Sequence, residues 1–161
     1  MSAIFDSFAP RLSLASRLRL LLVTLWVGSI WTIGYMVAPV LFSTLADPVL
    51  AGTIAGKLFR IDAWFSLACV VILTVLVSAA RRELSHKQHK ACLLLLLGML
   101  LCTLVGYFAV SPMMAALREA AGPNGVMLSQ AKTRFGVLHG VAGALFFIKS
   151  LFSAVLVFKI R

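Results

Sequence analysis

Seven side chains in this sequence set a polar or charged group among apolar neighbours: Tyr35, Arg60, Asp62, Tyr107, Arg134, His139 and Lys149. Arg60, Asp62, Arg134 and His139 fall within about two helical turns of one edge of the apolar runs that carry them, and Tyr35 and Tyr107 stand at the matching level of two other runs. Polar groups in such surroundings are costly unless paired, so they are expected to converge. Two arrangements meet that need. In the first they form a binding pocket, with Asp62 neutralising one arginine and His139 titrating near neutral pH. In the second they form a polar clamp tying the two helices together.

Lys149 is a different case, because it lies well inside an apolar run that continues to Lys159. A charge there is expensive, and no carboxylate is expected at its depth. A neutral lysine, a charge held by water and hydroxyls, and a charge paired with a lipid or another chain all remain open. We expect the side chain to face inward or toward a partner, and Lys149→Leu to leave folding intact or improved. For the edge cluster we expect the opposite: Arg134→Ala or Asp62→Ala should destabilise the bundle by stranding a partner.

Metal chemistry has weaker support. His139, with Met113 and Met114 as the nearest soft candidates and Met36 and Met127 on the same side, is the donor type that Cu(I) prefers. No M-x-x-M or H-x-M spacing accompanies them, so no metal site is assigned. A haem held by two histidines lacks a second intramembrane histidine, since His86 and His89 lie in a polar loop. Cys69, Cys92 and Cys102 make no CxxC pattern and read as small hydrophobes. Gly-x-Ser-x-Gly, HExxH, a phosphate loop and paired intramembrane carboxylates are all missing from the sequence. Neither a catalyst nor a cofactor is expected.

What must position these groups follows from composition. The 161 residues are 61% hydrophobic and only 12% charged, with a mean hydropathy of +1.03. A soluble core of this size cannot hide that much apolar surface, so the expected solvent is a lipid bilayer. Apolar runs at Leu18–Phe42, Ile61–Ala80, Ala91–Val110 and Phe135–Phe158 are each long enough to cross it. The first is too long for a signal-peptide core and is expected to be retained. Strands with open edges cannot cross lipid, and no barrel alternation is present. The fold class is therefore an all-α membrane protein, a left-handed bundle of four spans in two hairpins. Short interfacial helices are expected at residues 1–17, where Ile4, Phe5, Phe8 and Leu12 share a face, after Asp47-Pro48, and from Pro112 to Ala121. Gly122 to Gly125 should form a turn.

The excess of 15 basic over 5 acidic residues would suggest nucleic acid in a soluble protein. Here the basic residues flank the apolar runs, so a nucleic-acid partner is not expected and lipid headgroups are. Nine basic residues fall on the side of both termini and five on the other. By the positive-inside rule both termini are expected in the cytoplasm of a bacterial-type inner membrane. Small-residue spacings at Gly136-Gly140-Ala144, Gly34-Ala38 and Gly52-Gly56 favour close helix approach, mostly internal, with a second copy or another membrane protein as the other use.

The halves also resemble each other. GYMVAPVLF at Gly34–Phe42 parallels GYFAVSPMM at Gly106–Met114, and basic pairs precede the second and fourth runs. Either this is a parallel internal repeat, or prolines and basic residues simply recur at membrane edges.

Trp26-x-Gly28, Pro39-x-Leu41-Phe42, Gly56-x-Leu58-Phe59 and Arg134-x4-His139-Gly140 together resemble the transmembrane protein 205-like family, also catalogued as domain of unknown function 4149. The resemblance runs from about Leu20 to Leu156. It implies a small four-span membrane protein without an established activity. That family is in turn distantly similar to four-span modules of copper-resistance proteins, which carries no ligand residues across. The functional expectation is a non-enzymatic protein that binds a membrane partner or small ligand through the polar cluster. The alternative is a component of metal or small-solute transport or resistance.

Overall fold

The computed structural model describes residues 13–122 and 125–160, so most of the lead-in at residues 1–17 lies outside it. Helix α1 (Leu14–Trp31) starts at Ser13, whose hydroxyl accepts the Ser16 amide. It runs through a π-helical segment, Thr32–Val37, into α2 (Ala38–Thr44). After Leu45 and Ala46, Asp47 caps α3 (Pro48–Ala79) by accepting the amides of Val49 and Leu50. A short turn leads to Ser85, which forms a capping box with Gln88 and opens α4 (His86–Leu104). A second π-helical segment, Val105–Val110, joins α4 to α5 (Ser111–Ala121). Positive φ angles at Gly122 (65°) and Gly125 (78°) turn the chain toward α6 (Lys132–Lys159).

The two surface helices expected in the outer loops are helical, but they are unbroken continuations of the spans. The segment carrying Val49, Leu50, Ile54 and Leu58 is the opening of α3, and its connection to α2 is short. The two π-helical segments explain why the helices run on. Proline lacks an amide proton and its ring clashes with the carbonyl four residues back. Immediately before Pro39 and Pro112, the amides of Ala38 and Ser111 instead reach back five residues, to Ile33 and Gly106. The widened turn absorbs each proline without breaking the rod.

Among the described residues, four helical rods of 31, 32, 36 and 28 residues are long and apolar enough to cross a membrane. Large apolar side chains such as Leu25, Val75 and Leu97 are exposed, an arrangement that suits a lipid surround rather than water. The protein is an all-α, multi-pass membrane protein. α1 packs against α3 and α6, and α4 against the same two, so α3 and α6 face each other across the bundle. At the end carrying the termini, Val23, Trp26, Leu73, Leu96, Met99 and Leu156 form a tight core.

Candidate functional site

The centre of the bundle holds an ion pair. Lys149 Nζ lies 2.9 Å from Asp62 Oδ2 and donates to Ser66 Oγ at 2.8 Å. Asp62 and Lys149 are 3% and 5% exposed, so the pair bridges α3 and α6 away from lipid. This corrects two expectations, that Asp62 neutralises an arginine and that no carboxylate shares the depth of Lys149. Reading the second span from Ile61 put Asp62 at the edge. Because α3 begins at Pro48, Asp62 instead lies about 21 Å along its helix, against about 25 Å for Lys149 in α6. A buried lysine with its carboxylate is a paired charge, and removing one member strands the other. The expectation that Lys149→Leu spares folding is therefore reversed.

Serines and aromatic side chains extend this network. Trp26 Nε1 donates to Ser66 Oγ at 2.9 Å, so one buried hydroxyl oxygen accepts from both α1 and α6. Ser29 Oγ stands 3.4 Å from Asp62 Oδ1. Ser150 donates to the carbonyl of Phe147, which leaves Tyr35 as the donor in its 2.6 Å bond to Ser150. On the opposite side, Tyr107 oxygen accepts from Arg60 Nε at 3.3 Å and Trp64 Nε1 at 3.1 Å. The tyrosines sit in the two π-helical segments, where each reaches across to a neighbouring span.

Between the ion pair and the end away from the termini, the four spans part around a cavity of about 610 Å³. Small residues leave this space: Ala38, Gly52, Ala55, Gly56, Gly106 and Gly143 line it. The Gly52-Gly56 face, expected to draw helices together, borders the void instead. Phe59, Phe146 and Phe147 supply apolar walls, and Asp62 with Lys149 forms the floor. Phe146 reaches its place because its ring occupies the spot where Gly34 would carry a Cβ. Beyond the floor the tight core closes the bundle.

The cluster predicted from sequence converges only in part. Arg60 and His139 line the cavity with Tyr35, Tyr107 and Asp62. Arg134 does not: it borders a separate groove with Met113, Leu117 and Val137. Its place is taken by Arg118, whose guanidinium lies 5.2 Å from the Phe135 ring centre and over Gly56, where a Cβ would stand 3.6 Å from Nη1. His139 is also stacked on Phe135, with ring centres 6.2 Å apart. Arg118 had no signal beyond its position on the amphipathic helix after Pro112. Ser66 had none, since isolated serines are common in apolar helices, and Trp26 was marked only by the Trp26-x-Gly28 resemblance, which said nothing of a polar partner.

Met114 lines the cavity with His139, whereas Met113 faces the Arg134 groove. Among the described residues no group of three or more His, Cys, Asp or Glu side chains is placed to hold a metal ion. The three cysteines are free thiols. Gly136, Gly140 and Ala144 are exposed, and a Cβ on either glycine would meet nothing within 4 Å. They do not serve internal packing.

A family model described as a domain of unknown function (DUF4149) matches residues 21–123. The match takes in Tyr35, Arg60, Asp62, Tyr107 and Arg118, and stops before α6 with Arg134, His139 and Lys149. No curated protein and no solved structure matches the chain.

Proposed function

The chain belongs to the DUF4149 family, and for this member we propose a non-enzymatic role: binding a small ligand in the cavity between its four spans. The observation that carries this reading is the cavity itself, about 610 Å³ with a charged floor and apolar walls. Such a volume falls within the range of about 300 to 1,000 Å³ usual for ligand pockets, as does the mix of mainly apolar lining with a few polar groups. Kinship with transmembrane protein 205-like proteins belongs to the same reading, supported by the Trp26-x-Gly28 and Pro39-x-Leu41-Phe42 motifs.

The cavity lies on the side away from the termini. The nine-to-five basic bias supports placing that side outside a bacterial inner membrane, with both termini in the cytoplasm. A reporter active only outside should work when inserted at Gly125 and stay silent after Arg161; activity after Arg161 inverts the orientation.

The binding role is tested by purifying the protein from native membranes beside Gly56→Phe, which fills the cavity, and extracting bound small molecules for mass spectrometry. A compound held by the parent and absent from the variant supports the reading. Equal content in both, or a membrane protein captured equally by both, refutes it in favour of a partner or oligomer surface. A second reading, metal or solute handling, is favoured by His139 and Met114 lining one cavity. Stoichiometric copper in the purified protein, lost in His139→Ala, would favour it.

A further inference from the structure

The charges facing the cavity are unequal. Lys149 and Asp62 neutralise each other at the floor, while Arg60 and Arg118 line it without a carboxylate within 4.0 Å among the described residues. The other described acidic side chains are spent elsewhere or stand apart. Asp47 caps α3, Glu83 pairs with Arg19 near the termini, and Glu119 makes no ion pair among the described residues. The two guanidinium charges therefore remain uncompensated by any described carboxylate.

These two guanidiniums are held in place. The Nε of Arg60 is committed to Tyr107, and neither of its Nη groups is hydrogen-bonded to a described residue. Arg118 rests over the Phe135 ring and above Gly56. Gly56 and Arg60 are four residues apart in α3, so they share a helix face with Cβ positions about 5 to 6 Å apart. The Arg118 guanidinium thus lies over the turn of α3 next to the one that carries Arg60. The planar fork of each guanidinium matches the oxygens of a carboxylate or phosphate, an interaction strengthened away from bulk water. Below them, Phe59, Phe146 and Phe147 offer apolar surface to whatever the anionic group is attached to.

We propose that the cavity takes an organic anion with an apolar body, its carboxylate or phosphate held by Arg60 and Arg118. The proposal rests on the cavity being a ligand site and names the chemistry of its occupant. An inorganic anion leaves the aromatic walls unused, and an organic cation meets two unopposed positive charges.

The test uses the full chain in phosphatidylcholine nanodiscs and follows energy transfer from tryptophan to 11-(dansylamino)undecanoate. Trp64 donates to the same tyrosine oxygen as Arg60, which puts one donor beside the site. Dodecanoate and dodecyl phosphate should displace this probe at least tenfold more tightly than dodecanol, and dodecyltrimethylammonium should not compete. In Arg60→Gln/Arg118→Gln that preference should disappear while dodecanol competes as before. Arg60→Lys/Arg118→Lys keeps both charges and should retain a preference, which separates lost charge from misfolding. Benzoate competing as tightly as dodecanoate supports the anion site with a water-soluble source; competition by dodecanoate alone supports it with a membrane source.

Dodecanol binding as tightly as dodecanoate, a preference that survives in the double glutamine variant, or inorganic phosphate competing as well as dodecanoate overturns the proposal and leaves the cavity reading standing. Saturable transfer absent from the parent, or undiminished in Gly56→Phe, overturns both.

Discussion

The two halves of this bundle are built from the same four helices and are packed in opposite ways. Toward the termini, Val23, Trp26, Leu73, Leu96, Met99 and Leu156 are at most 1% exposed and leave no room. Toward the other end, glycine and alanine take the inward positions and the same helices enclose a cavity. The boundary is the Lys149–Asp62 pair, which lines the cavity floor. In lipid the apolar effect does not drive helices together as it does in water, so close packing and interhelical polar contacts must hold them. The tight half supplies the packing, the ion pair supplies the contact, and the hollow half is thereby free to hold something else.

The largest expected effect is at the boundary. Lys149→Leu or Asp62→Leu leaves a buried charge without its partner and should cost about 3 to 5 kcal/mol of stability. Removing both together should recover most of that loss. Unfolding in mixed detergent micelles reads all three, and single variants as stable as the parent would show that the charges do not meet. Next comes the tight half, where Leu73→Ala or Leu156→Ala opens a void in a closed core. By analogy with soluble cores each costs about 2 to 5 kcal/mol, decreasing as the site collapses.

The hollow half should answer differently to the same kind of change. Gly56→Leu adds volume where only the Arg118 guanidinium is near, so stability should shift by less than about 1 kcal/mol while the bound small molecule is lost. Equal destabilisation by Gly56→Leu and Leu73→Ala would erase the distinction between the halves. The smallest effect is expected at Tyr35→Phe, which keeps the ring and removes one hydrogen bond to Ser150. Interhelical hydrogen bonds in membranes average about 0.6 kcal/mol, and the shift should be of that size.

Much of this architecture is legible in residue order. Four apolar runs, a helix start at Asp47-Pro48 and a Lys149 turned inward or toward a partner follow from elementary rules, because hydropathy and capping act locally. The prolines are a local signal with a non-local outcome. Pro39 and Pro112 read as span exits, yet a five-residue hydrogen bond before each lets the helix continue. The depth of Asp62 depends on that kind of detail. Once α3 extends outward to Pro48, a residue that seemed to lie at the membrane edge sits opposite Lys149.

By itself the sequence determined that this chain lives in a bilayer as four helices and that its polar side chains must find one another, since an apolar medium offers them nothing else. Which ones meet was decided by the tertiary structure alone. Arg134 and Arg118 both lie near the same end of the bundle, and only the packing of α5 beside α6 turns Arg118 toward the cavity and Arg134 toward a groove outside it. Facing direction and shared depth are properties of four helices together, fixed by how their side chains interlock, and no single helix carries that information in its own periodicity.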